Sequence, residues 1–335
     1  MTRPPRPKRE RKSRTGIVVP AEMRAVGIDK FGPPSVLTVR TVPVPRPGQR
    51  EVLIALHAAG VGIWDAKIRD GSWAEDKHFP QFLGTDGAGV VAEVGERVRR
   101  FAPGDRVWAY KFPDRKGGFY AEYVTADMDD VGHLPRSLTM LEAGAGAVTS
   151  LTALQGIDRL ELRAGKTVLI FGASGAVGTP AVQFAARYRR ARVIAIASGA
   201  RARKLLYKLG AEAVIDGRKR DALDRVADAA PDGLDAIFAL AGSKVLNQCM
   251  KLVKRGGRVA YPNGVEPAPR KRAGVRIFGY DADANAKSFA ELARVVEKAR
   301  LTVPIDASFS LANVAKAHAR VERGHVVGRV VLRIR

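Results

Sequence analysis

One cysteine, Cys249, stands among the 335 residues. A lone thiol excludes an internal disulfide and any zinc site built from several cysteines. It also fits a reducing, cytoplasmic compartment. Histidine is sparse: His57, His78, His133, His318 and His325 lie apart in sequence, without the spacings by which ligands converge on a metal ion. No bound metal is therefore expected. No apolar run approaches the length of about eighteen residues that spans a bilayer, so no transmembrane helix is expected. The opening stretch MTRPPRPKRERKSRTG carries charge with no apolar core behind it, unlike a signal peptide.

Acidic residues are in short supply. Lys and Arg number 57 against 34 Asp and Glu, a net charge of +23. Such a balance raises nucleic acid or another anionic surface as a partner. The basic runs, such as RVRR (97–100) and RARK (201–204), carry no interleaved aromatics of the kind that stack on bases. A solvated, arginine-rich surface is the simpler reading.

The chain is long, at 46% hydrophobic residues, which points to two domains rather than one. Residues 1–22 are rich in proline and arginine and are expected to form a basic disordered tail. From Met23 onward, short β-like runs such as EVLIALHAAGV and DRVWAY are punctuated by glycine and proline, which predicts a small antiparallel barrel. Near residue 147 the pattern changes. KTVLIFG (166–172), RVIAIAS (192–198), LDAIFALAG (234–242) and GRVAYPNG (257–264) alternate with helical segments, which predicts a parallel sheet with right-handed crossovers.

Between the first of those strands and its helix lies Gly172-Ala173-Ser174-Gly175-Ala176-Val177-Gly178. The first glycine permits a tight turn, Gly175 admits a pyrophosphate close to the backbone, and Gly178 lets the helix pack on the strand. The second strand ends at Ser198, followed by Arg201, Arg203 and Lys204 and no acid. An aspartate or glutamate there would accept from a ribose 2′-hydroxyl, whereas a 2′-phosphate wants cationic donors. NADP(H) is therefore the expected cofactor.

The stretches MRAVGIDKFGPPSVLTVRTVPVPRPGQREVLIALHAAGVGIWDAKIRDG, FLGTDGAGVVAEVGERVRRFAPGDRVWAY, GASGAVG, KLGAEAVID and VVGRVVLRI together resemble the zinc-free quinone oxidoreductase branch of the medium-chain dehydrogenase/reductases, which includes zeta-crystallin. The resemblance covers residues 23–335. It implies an α/β fold: a Rossmann-type doubly wound parallel sheet over 147–300, and a GroES-like β-barrel catalytic domain split between 23–146 and 301–335. It further implies a cleft site with nicotinamide near Gly62–Asp65 and a homodimer joined through the dinucleotide domains. Relatives of this type begin near Met23, so the resemblance marks the preceding residues either as an extension or as the product of a start codon assigned too far upstream.

Zinc members of the superfamily carry a cysteine at the position of Gly62, a GHE where this chain has Gly84-Thr85-Asp86, and a four-cysteine lobe after GDRV. Without a metal to stabilise an alkoxide, hydride transfer favours acceptors that are already electrophilic, a quinone or an activated enone. Candidate catalytic residues are Asp65, which matches the family aspartate and is placed to pair with Arg69 four residues on; Lys67, as proton donor or phosphate contact; and Tyr110, as a pocket wall with Trp64, Trp108 and Phe112. Thr152 and Asn263 are expected beside the nicotinamide. The family's usual asparagine falls on Gly62, its 2′-phosphate lysine on Ala202, and an adenosine-side tyrosine on Gly217. Glycine at 62 implies a wider pocket and a bulkier acceptor. Two alternatives stay open: a pathway-specific enone or enoyl reductase, and an NADPH sensor or polyanion-binding protein without turnover.

Overall fold

Thr167–Phe171 is apolar apart from its first residue and buried throughout, as a strand covered on both faces must be. The computed structural model, which describes residues 18–73 and 78–335 together with a short strand at Arg11–Lys12, places it at the centre of a six-stranded sheet. The order is Ala213–Ile215, Arg192–Ile196, Thr167–Phe171, Leu234–Ala239, Val253–Pro262, Arg276–Tyr280, and every pairing is parallel. The chain builds outward from the central strand to one side, then crosses to the other. The reversal leaves a crevice at the carboxyl end of Thr167–Phe171, where such sheets bind ligands.

The second body is mostly antiparallel. Its long strand Glu51–Val61 pairs with Asp86–Val94 on one side. On the other it pairs with Tyr123–Asp127 along its first half and Arg329–Arg333 along its last. Val330 opposes Val61, so the C-terminal strand brings Arg329 beside the end of Glu51–Val61. A three-stranded sheet of Thr38–Pro43, Glu22–Ile28 and Gln81–Phe82 closes this body.

The expected boundary at residues 146 and 147 falls inside one continuous helix, Met140–Arg159, started by a capping box between Thr139 and Glu142. Its first half lies on the barrel, where a Cβ at Gly144 would stand 2.6 Å from Ala58, and its second half lies on the parallel sheet, where one at Gly156 would stand 2.3 Å from Phe238. A single apolar cluster accordingly holds Ala58 and Trp108 of the barrel together with Val168 and Phe238 of the sheet.

Residues before Met23 already belong to the folded body. Val18–Val19 pairs with Arg11–Lys12, and Val19 is fully buried in a cluster with Met23 and Ala25. The basic composition of the preceding residues masked this apolar pair. Residues 1–10 and 13–17 of the expected tail lie outside the described residues. Among the described residues no helix is long and apolar enough to cross a membrane.

Candidate active site

Strand Glu51–Val61 stops at Gly62, which caps the helix Ile63–Asp70. Asp65, in the first turn, folds back so that its Oδ2 accepts from the Gly62 N–H at 2.8 Å. Such a carboxylate satisfies one of the helix's orphan donors. Its burial is complete. Burial pushes the carboxyl up to about 7, the Gly62 N–H draws it back, and the neighbouring Asp86 charge adds to the rise. Its Oδ1 has no hydrogen-bond partner among the described residues.

The expected pairing of Asp65 with Arg69 does not form. Arg69 is buried and committed to other partners, Glu322 at 2.6 Å, the Gly32 carbonyl at 2.9 Å and His318 Nδ1 at 3.2 Å. Spacing by four aligns two side chains on a face, but Asp65 turns toward the helix start.

Trp64 overturns the expectation of a widened pocket. Its indole occupies the space left by Gly62: a Cβ there would stand 2.2 Å from the ring. Its N–H donates to Thr85 Oγ1 at 2.7 Å, and the Arg329 guanidinium lies 5.2 Å from the ring centroid. Arg329 in turn pairs with Asp86 at 3.1 and 3.2 Å, and both are buried. The guanidinium also donates to the carbonyl of Ala145. Burial raises the Asp86 carboxyl to about 6 against the pull of Arg329. This pair was missed from sequence because the partners stand 243 residues apart; only the aspartate in GTD signalled it.

The other catalytic candidates spread outward from this corner. Lys67 places Nζ 4.5 Å over the Trp73 ring, away from Asp65. Trp73 reaches across the cleft, and a Cβ at Gly264 would stand 2.7 Å from its ring. Tyr110 lies opposite Asp86 in the ladder, and burial raises its phenol well above the ordinary value. Trp108 is core rather than pocket, fully buried against Phe289. Phe112 is 46% exposed and Trp73 38%; with Ile68, Phe79 and Phe82 they line a cavity of about 540 Å3.

On the facing sheet, Gly172 has φ +84°, the left-handed region that glycine adopts freely. A Cβ at Gly178 would stand 2.4 Å from the Gly172 carbonyl, so the helix start rests directly on the turn. At Gly175 a Cβ would meet only the Gly172 carbonyl, at 3.4 Å, which leaves backbone open to a ligand. Ala173 is buried and ties the turn to Ile196 through its N–H. The Ser174 carbonyl accepts from Gly328 at 2.8 Å, joining the turn to the segment before the C-terminal strand. This open backbone beside a left-handed turn fits a dinucleotide pyrophosphate.

Two cavities meet at the turn. One, of about 340 Å3, is lined by Gly62, Trp64, Gly175, Ala176 and Arg329 among others. The other, of about 680 Å3, runs from Gly172, Ser174 and Gly175 to Ser198, Gly217 and Arg218. Thr152 and Asn263 line neither. Both are tied to Tyr280, whose hydroxyl donates to the Thr152 carbonyl at 2.6 Å and whose carbonyl accepts from the Asn263 N–H at 2.8 Å.

The cations expected at the 2′-phosphate are placed elsewhere. Arg201 pairs with Asp306 at 2.8 Å, Arg203 lies 5.9 Å over Tyr207, and Lys204 is exposed; none lines the groove. Ser198 does line it, with an acid beside it after all. Asp216, from the end of the next strand, accepts from Ser198 Oγ at 2.5 Å and pairs with Arg218. Among the described residues, no group of three or more His, Cys, Asp or Glu is placed to hold a metal ion.

The sequence matches the Alcohol dehydrogenase GroES-like domain over residues 48–136 and the Zinc-binding dehydrogenase family over residues 209–332. It is 31% identical to the quinone oxidoreductase of Homo sapiens, over 92% of this chain and 97% of that protein. It is 30% identical to the 2-methylene-furan-3-one reductase of Solanum lycopersicum, over 95% of this chain and 81% of that protein. A solved mycobacterial protein complexed with NADPH superposes with a TM-score of 0.79 at 27% identity, covering 93% of this chain and 100% of that one. A parallel sheet with a glycine turn, locked by a shared helix to a GroES-like barrel, therefore comes with relatives to match, and the chain belongs to the quinone oxidoreductase branch of the medium-chain dehydrogenase/reductases.

Proposed function

We propose that the chain is an NADP(H)-dependent oxidoreductase that delivers hydride to a quinone or an activated enone without a metal ion. One observation carries this reading: Gly175 lines both the groove running to Ser198 and the cavity at Gly62 and Trp64. A dinucleotide laid along the groove with its pyrophosphate on Gly172–Gly178 has its nicotinamide end directed at the corner between the two bodies. The relatives named quinone oxidoreductase and furanone reductase, and the mycobacterial neighbour holding NADPH, support the same reaction class and cofactor.

When bound, the reduced nicotinamide supplies the hydride. The protein's part is positioning and exclusion of water. Trp64 seals the space over Gly62, and Asp86 neutralises Arg329 behind it. Tyr280 ties the helix that carries Thr152 to the strand end that carries Asn263. As hydride arrives, negative charge grows on the acceptor oxygen and needs a proton donor. Tyr110 keeps its proton far above neutral pH and serves as a donor, with Lys67 at the outer mouth. The aromatic cavity of Trp73 and Phe112 receives the acceptor's flat ring. A metal-free reaction is supported by the donor set: a glycine at 62, and carboxylates committed to Arg329 and to the helix cap.

The open edge of Arg276–Tyr280 offers a surface through which two dinucleotide sheets join, and the lone buried cysteine suits a cytoplasmic enzyme. The test is NADPH oxidation, followed by its near-ultraviolet absorbance, with a panel of quinones and enones and with excess EDTA. Turnover indifferent to EDTA is expected. NADPH binding with no turnover across the panel would favour the second reading, a dedicated enone reductase, which the Solanum relative supports.

A further inference from the structure

At the far end of the groove three side chains form a cluster. Ser198 Oγ donates to Asp216 Oδ1 at 2.5 Å. Arg218 grips the same carboxylate through Nε at 3.2 Å and Nη2 at 3.1 Å. No cofactor role was expected of Asp216 or Arg218, and the cations that were expected there face elsewhere. We propose that Arg218 is the residue that reads the 2′-phosphate of NADP(H), and that Asp216, which holds it from behind, limits how strongly that phosphate is preferred over a 2′-hydroxyl. The proposal rests on the dinucleotide reading of the groove.

Position comes first. Ser198, Gly217 and Arg218 line the groove together. Gly217 sets no side chain between the other two, and a Cβ there would stand 2.7 Å from Ile196. The Arg218 side chain is 63% exposed. Its carboxylate pairing uses one edge of the guanidinium, and Nη1 makes no hydrogen bond among the described residues. A guanidinium offers five donors in a planar fork, so the outer edge remains available to a phosphate while Asp216 fixes the inner one.

Chemistry sets the limit. The Ser198 hydroxyl has one proton, and it goes to Asp216. Toward the groove the oxygen therefore offers lone pairs, which accept from a ribose 2′-hydroxyl and give nothing to a phosphate. The Arg218 and Ser198 hydrogen bonds hold the Asp216 carboxyl well below the ordinary carboxylate range, so it stays ionised wherever the enzyme works. A 2′-phosphate placed here meets one positive and one negative group. Its gain from Arg218 is offset in part by Asp216, while a 2′-hydroxyl keeps the Ser198 acceptor. Cofactor preference is then a difference between two adjacent residues rather than a property of the helix that follows Ser198.

The decisive measurement is calorimetric titration with 2′,5′-ADP and with 5′-AMP, which differ only in the 2′-phosphate and need no turnover. Arg218→Gln should weaken 2′,5′-ADP about tenfold or more, the scale of a lost charge-assisted hydrogen bond, and leave 5′-AMP within about twofold. Arg218→Lys should recover part of the loss. Asp216→Asn should strengthen 2′,5′-ADP severalfold relative to 5′-AMP. Arg203→Gln should change neither. An unchanged ratio of the two affinities in Arg218→Gln, or a fallen ratio in Arg203→Gln, would overturn the proposal. Failure of the unmodified protein to bind either nucleotide would overturn the dinucleotide reading along with it.

Discussion

Trp64 lays its indole in the space that any side chain at position 62 would need, with a Cβ at Gly62 only 2.2 Å from the ring. Glycine at 62 is thus one half of a pair. Gly62→Ala should destabilise the protein by about 1–3 kcal/mol, the usual cost of overpacking. In a Trp64→Ala background the same change should cost within about 0.5 kcal/mol, because the clash is gone. Urea unfolding of the two single variants and the double variant measures the coupling, and equal costs in both backgrounds would refute the pairing.

Arg329 and Asp86 neutralise one another in the buried corner. Arg329→Gln strands the carboxylate, and removing one partner of a buried pair typically costs about 3–5 kcal/mol. The Asp86→Asn, Arg329→Gln double variant should regain a large part of that loss. The damage should be smaller at pH 5 than at pH 8, since an unpaired Asp86 relieves itself by taking a proton.

Asp65 ties stability to pH. Its carboxyl is raised by burial from 3.8 to about 7 in the folded state. The folded protein therefore holds this proton more tightly than the unfolded chain does. The corresponding stability is fully present below about pH 4 and is lost as pH rises toward 7, with a limiting slope of about 1.4 kcal/mol per pH unit. Asp65→Asn, which carries no titrating proton, should flatten that part of the profile. Chemical denaturation of both proteins at pH 5 and pH 8 compares them directly. A decline of equal size in the variant would assign the pH dependence to other groups.

The glycine turn separates folding from binding. Gly178→Ala drives a Cβ to 2.4 Å from the Gly172 carbonyl and 2.5 Å from that of Ala173, and backbone has to move. A fall in melting temperature is expected together with loss of nucleotide binding. Gly175→Ala meets only the Gly172 carbonyl at 3.4 Å, so the fold should tolerate it. The added methyl points into the space shared by the two cavities, so nucleotide affinity should fall at an unchanged melting temperature.

How much of this was readable from sequence follows the distance between partners. Gly172, Gly175 and Gly178 act within one turn, so strand, glycines and helix announced each other. Trp64 and Gly62 are neighbours in sequence, yet their exchange of volume was invisible because no periodicity says where an indole points. Asp65 was wrongly given Arg69, because spacing by four holds along a helix flank but not for a side chain that doubles back to the cap. Asp216 and Arg218 escaped notice for a related reason. The usual fingerprint inspects the end of the second strand, whereas here the adjacent parallel strand supplies the acid from eighteen residues beyond Ser198. Asp86 and Arg329 join through the closing strand of the barrel, a pairing that only tertiary structure reveals.

The helix Met140–Arg159 has a bearing on how such a chain can be recombined. Since its two halves are buried in different bodies, no cut between barrel and sheet leaves both with a complete surface. A transplanted dinucleotide unit would have to carry the barrel-facing half of the helix into water, or leave its own half behind and open its core. The modules of this protein are exchangeable only with the splice hidden inside that helix and with both neighbours matched to it, so the smallest heritable unit of function here is the joined pair.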